Sequence, residues 1–127
     1  MLSLSGSYRY FLYCHQADMR KGFDGLSGLV REGLSKDPLS GDIFIFFNKR
    51  RTQVKLLVWE KDGFSIYHKR LERGTYELPA NTSVELRSDE LVLILQGISL
   101  KSVRRRKRFD LDKNNFESSS QKTFING

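Results

Sequence analysis

Three consecutive runs constrain this chain more than any other feature. Residues 43–47 read IFIFF, residues 53–60 read QVKLLVWE, and residues 64–70 read FSIYHKR. The first is apolar throughout, the pattern of a strand buried on both faces. The connection at 48–52 (NKRRT) is polar, and Asp62-Gly63 supplies two residues that accept the positive φ of a tight hairpin. Runs joined in this way specify an antiparallel meander whose apolar face needs a cover. A cover is available upstream. Residues 8–13 (YRYFLY) predict a short strand, after which Phe23, Leu26, Leu29, Val30 and Leu34 recur at helical spacing. Asp18 is positioned to cap that helix, and Pro38 to end it near Lys36.

The helix carries Gly22, Gly25 and Gly28 on one face. An interior glycine costs a helix about 1 kcal/mol relative to alanine, so something must offset the loss. Close packing on the sheet is the favoured compensation, and close approach to a phosphate is the other. Further on, Ser88 can cap a helix with Asp89 and Glu90 in its first turn, and the apolar run 91–95 continues to a stop at Gly97. The expected fold is α+β: an antiparallel β-meander of three or four strands, one helix packed on it, and a second apolar helix near the C-terminus. One domain is expected over residues 1–108. Residues 109–127, rich in Asn, Ser and Lys, are expected to form a polar, frayed tail.

Charge is unevenly spread. The net charge of +7 arises almost wholly from residues 49–108, which hold fifteen basic against seven acidic side chains, while residues 1–48 balance at five each. Lys49, Arg50 and Arg51 fall at the tip of the first hairpin, with Lys55 on the next strand. Lys69, Arg70 and Arg73 end the third strand and begin the following loop. Lys101, Arg104, Arg105, Arg106, Lys107 and Arg108 make six basic residues in eight. A surface of this kind attracts a polyanion, and nucleic acid is the commonest one inside a cell. Arginine outnumbers lysine in these clusters, which suits bidentate phosphate contacts. The competing reading is a merely solvated charged face. Arg20 and Lys21, near the helix N-terminus, are equally suited to hold a phosphate or to pair with Asp18 or Asp24.

Catalytic groups are scarce. The single cysteine, Cys14, excludes an internal disulfide and a multi-thiolate zinc site. Cys14 and His15 are neighbours on the predicted first strand, so their side chains are expected on opposite faces. His68 reads as a structural histidine, and Trp59 and Phe23 read as core residues. The G-x-x-G at residues 22–25 holds an aspartate that would repel phosphate, and no phosphate-binding loop pattern is present. Acidic residues of the middle segment are interleaved with basic ones, as in surface ion pairs, rather than grouped for a pair of metal ions. No catalysis and no cofactor are expected. No apolar stretch reaches membrane-spanning length and no signal peptide is evident, so a cytoplasmic protein without a membrane partner is expected.

The string D-M-R-K-G-F-D-G-L at residues 18–26 is followed by Asp37-Pro38, Gly41 and the strand with Phe44 and Phe46. Val54-Lys55-Leu56, Trp59 and the string K-R-L-E-R-G at 69–74 come next. In this order they closely resemble TnpB, the accessory protein encoded by the second reading frame of insertion sequences of family sixty-six, over residues 1 to about 108. The resemblance implies a small helper acting beside a separate transposase that cuts and joins DNA. It reaches no further than Arg108. Together, charge and resemblance predict DNA binding through Arg20, Lys21, Lys49, Arg50, Arg51, Lys55, Lys69, Arg70, Arg73, Lys101, Arg104, Arg105, Arg106, Lys107 and Arg108. The transposase and other proteins of the same element are the expected partners. The alternative is an adaptor that docks on the transposase without touching DNA, for which the apolar run 91–95 is the best support.

Overall fold

A computed structural model describes residues 6–100; the basic run at 101–108 and the tail at 109–127 lie outside the described residues. Strands β2 (Ile43–Phe47), β3 (Gln53–Trp59) and β4 (Phe64–Arg70) pair antiparallel, with Phe44 opposite Leu57 and Trp59 opposite Phe64. The sheet does not stop at this meander. The aromatic stretch at 8–13 contributes a shorter strand than predicted, β1 (Tyr10–Leu12), which lies parallel to β2. A two-residue strand, β6 (Glu85–Leu86), runs antiparallel to β1 at the far edge. The result is a mixed five-stranded sheet of order β4-β3-β2-β1-β6 in an α+β fold. Helix α1 (Phe23–Gly33) lies between β1 and β2 in the chain. A helical crossover lets two strands run in the same direction, whereas a short turn reverses the second.

Side-chain alternation along the strands builds two cores. Tyr10, Leu12, Ile43, Ile45, Val54 and Leu56 face one side, where Leu91 and Ile94 of α2 (Ser88–Gln96) cover them. Tyr76 joins the same cluster from a second small sheet, in which β5 (Thr75–Tyr76) pairs with β7 (Ile98–Ser99). Phe11, Phe44, Phe46 and Leu57 face the other side, under Leu26 and Val30 of α1. The unbroken apolar run of β2 follows from this two-sided burial. Each such side chain stabilises the fold by about 1.5–3 kcal/mol relative to exposure.

Three local readings change. The first helix begins at Phe23, not near Asp18, and ends at Gly33, short of Lys36. Its end is closed by Leu34 N–H donating to Val30 O, and Ser35 follows in the left-handed region at φ 54. Asp18 belongs to the preceding loop, where its carboxylate accepts the Arg20 N–H at 2.9 Å. The glycine face does not pack on the sheet. A Cβ at Gly22 or Gly28 would meet nothing within 4 Å, and the nearest atoms to one at Gly25 belong to the Lys21 side chain. Phe23 is 49% exposed and stacks on Phe64, so it is not a core residue.

One glycine is indispensable. Gly74 has φ +80, and a Cβ there would run into the Ser99 carbonyl oxygen of β7. Gly74→Ala combines left-handed strain with a backbone clash and is expected to cost about 2–4 kcal/mol, read as a lowered denaturation midpoint. Unchanged stability would mean that β5 and β7 do not pack as described.

Candidate nucleic-acid interface

The first cationic segment is carried to its place by main-chain bonds. Tyr13 N–H donates to Ile45 O and Ala17 N–H to Phe47 O, both at 2.9 Å, so the loop after β1 follows β2 to its C-terminal end. The loop is then pinned from beneath. Lys55, on the α1 side of β3, is only 8% exposed, and its ammonium donates to Met19 O at 2.9 Å and Lys21 O at 2.7 Å. A buried ammonium is tolerable only when its charge is met by acceptors, and here two backbone carbonyls take two of its three N–H groups.

The second segment is the turn between β2 and β3. Asn48 Oδ1 accepts from the N–H groups of Thr52 and Gln53 at 2.9 and 3.0 Å, and its Nδ2 donates to Thr52 Oγ1. Arg51 N–H donates to Asn48 O, and Arg51 adopts φ 57. These bonds satisfy the turn from within and leave the side chains of Lys49, Arg50 and Arg51 exposed. Between this tip and the 16–21 loop lies a groove of about 670 Å³, lined by Arg20, Lys21, Lys49 and Arg50 together with Asp18 and Gln53.

The third segment is tied to the same hairpin. Leu71 N–H donates to Thr52 O and Tyr76 N–H to Arg51 O, both at 2.8 Å, which holds Lys69, Arg70 and Arg73 at this end of the sheet. The described chain also finishes here. Ser99 pairs with Thr75, and Leu100 lies against Gly74, beside Arg73. Lys101 and the run containing Arg104, Arg105, Arg106, Lys107 and Arg108 lie outside the described residues.

Ion pairing divides the cationic set. Arg20 grips Asp18 with its Nη2 2.8 Å from Oδ2, the pairing with Asp18 rather than Asp24. The Arg20 side chain and backbone N–H hold the Asp18 carboxyl at a pKa of about 2, below its ordinary range. A carboxylate with a depressed pKa supports the folded loop above its unfolded value and loses that support as pH falls through the folded one. An NMR titration of the Asp18 carboxyl is therefore expected to show a midpoint near pH 2, and an ordinary midpoint would break the pair. Arg70 contacts Glu72 at 3.2 Å. Among the described residues, Lys21, Lys49, Arg50, Arg51, Lys69 and Arg73 form no salt bridge. The opposite end of the sheet differs: its hairpin turn carries Glu60, Lys61 and Asp62, and Arg9 there is taken up by Asp42 at 3.0 Å.

Eight of the expected residues thus converge, while Lys55 lies inside and serves as a tie. Two contributors escaped the sequence reading. Asn48 braces the turn, and its signal was legible, since Asn readily bonds its own backbone in turns. Gln53 lines the groove and meets His68 Nε2 at 2.8 Å. Burial, reinforced by Lys55 and Arg70, pushes the His68 pKa below its ordinary value. Cys14 and His15 follow β1 rather than lying within it; both are exposed and line a smaller recess of about 240 Å³ on the other flank of the tip. Among the described residues no three His, Cys, Asp or Glu side chains gather as a metal-binding group, and no helix is long and apolar enough to cross a membrane.

Comparison with known proteins places this geometry in a family. No solved structure matches the chain. Two proteins of Sinorhizobium fredii (strain NBRC 101917 / NGR234) are similar to it, both described as uncharacterized. The one named y4jC is 30% identical over 108 residues, covering 84% of this chain and 92% of its own length. The one named y4hO is 29% identical over 100 residues, covering 77% of this chain and 87% of its own length. Residues 8–105 match the family described as IS66 Orf2 like protein, a span that takes in the whole sheet, both helices and every converging cation. The chain belongs to the IS66 Orf2-like family of insertion-sequence proteins.

Proposed function

We propose that the protein is a non-catalytic, cytoplasmic accessory factor of bacterial DNA transposition that binds DNA through the cationic end of its sheet. One observation carries the reading: three separate segments deliver eight cations to one end, and six of them form no salt bridge among the described residues. Phosphate contacts fix a protein on a duplex without specifying sequence, and exposed Arg and Lys on a hairpin tip suit that task. The basic run at 101–108 follows Leu100 in sequence and raises the positive charge the chain offers a polyanion.

Titration of the full chain against terminal-repeat and random duplexes at several salt concentrations tests this. With about six phosphates neutralised, log affinity falls against log salt with a slope near −5. A slope near zero removes the electrostatic basis of the reading. An advantage for the repeat of roughly 4 kcal/mol or more would mark sequence readout, and equal affinities backbone binding alone. A second reading, an adaptor that docks on the transposase without DNA, has support in Leu93, 70% exposed on α2. Transposase capture by protein that gives no DNA gel shift would favour it.

A further inference from the structure

The two edges of the sheet are unequal. β6 is two residues long, whereas β4 runs for seven residues without proline, glycine or bulge, and no described strand lies outside it. Two hydrogen bonds fix which of its backbone groups are free. Glu60 N–H donates to Gly63 O, and Leu71 N–H donates to Thr52 O. In an antiparallel pair, residues alternate between bonding the neighbouring strand and pointing away from it. Ser65, Tyr67 and Lys69 therefore bond β3, and the N–H and C=O groups of Phe64, Ile66, His68 and Arg70 point outward. Edges of this length are normally blunted, because unpaired groups template association with another strand. Apolar surface flanks the edge on both sides: Phe23, 49% exposed, stacks on Phe64 above one face, and Tyr67, 43% exposed, lies on the other.

We infer that β4 is a homodimer interface, in which a second copy of this chain adds its own β4 antiparallel across a two-fold axis at Tyr67. This rests on the sheet alone and not on DNA binding. The sequence of the strand supports a second copy as the occupant, because full overlap is self-complementary. Phe64 falls opposite Arg70 of the other copy, Ile66 opposite His68, Ser65 opposite Lys69, and Tyr67 opposite itself. No like charges face each other. Phe64 offers its ring to a guanidinium, and the two tyrosines form an aromatic cross-strand pair. The Lys69 ammonium arrives at Ser65, whose hydroxyl bonds the Glu60 carboxylate, so each lysine meets an acid of the other copy. Every outward backbone group of β4 is satisfied in this register.

Sedimentation equilibrium of the full chain at micromolar concentration tests the assignment. The expected mass is twice 14.8 kDa. Tyr67→Lys sets two ammonium groups face to face and is expected to give a folded monomer whose thermal midpoint no longer rises with protein concentration, as is Tyr67→Glu. Mixing the two variants is expected to restore the dimer mass. His68→Pro removes an outward N–H while sparing every backbone bond to β3, losing only the side-chain contact to Gln53, and is expected to give a folded monomer. A monomeric parent protein, or a dimer that survives both Tyr67→Lys and His68→Pro, would overturn the assignment. Dimers dissociated by the single variants but not restored on mixing would overturn the Tyr67-centred register.

Discussion

Replacing Lys49, Arg50 and Arg51 together by alanine is expected to weaken duplex binding about 100-fold at about 0.1 M salt while leaving the fold intact. Each exposed cation on a phosphate is worth about 1 kcal/mol after solvent screening, so three remove about 3 kcal/mol. The salt slope is expected to become shallower by about 2.7, since each lost phosphate contact contributes about 0.9. Stability is expected to stay within about 0.5 kcal/mol, because the three side chains are exposed and the turn is braced by Asn48 instead. Filter binding and denaturation of one preparation read both quantities. Unchanged affinity with an unchanged slope would detach the hairpin tip from DNA.

Lys55→Met is expected to act in the opposite sense. The substitution keeps length and apolar bulk but removes the ammonium that donates to Met19 O and Lys21 O. Two carbonyls lose charge-assisted partners in a nearly water-free site, which costs about 2–4 kcal/mol. The loop carrying Arg20 and Lys21 loosens, so DNA affinity falls through misplacement of the groove wall. The salt slope is expected to hold, because Lys55 offers no charge to a phosphate. A slope shallower by about 0.9 with little loss of stability would make Lys55 a phosphate ligand instead.

Much of this was legible in the residues. Ile43–Phe47, Gln53–Trp59 and Phe64–Arg70 were readable because period, turn chemistry and apolar runs are local signals. The strand at Tyr10–Leu12 was readable too, but its parallel pairing was not, because a short aromatic segment says nothing about its neighbour; only the crossover through α1 decides it. Lys55 read as one more cation, since burial of a lone basic residue between Val54 and Leu56 depends on a distant loop supplying carbonyls. Gly22 and Gly28 look in sequence like a packing stripe, yet spacing fixes only that they share a face, not what lies against it. The convergence of the 16–21 loop, the 48–52 turn and the 69–74 segment is a property of strand direction. Each cluster was visible alone, and their common end of the sheet was not.

Amide chemical-shift mapping of the full chain with a short duplex at low salt tests the central claim most directly. Perturbations are expected to be largest at residues 17–21, 48–53 and 69–74 and reversed by added salt, with the turn at 60–63 affected much less. Shifts centred on 60–63, or spread evenly over both ends of the sheet, would contradict it.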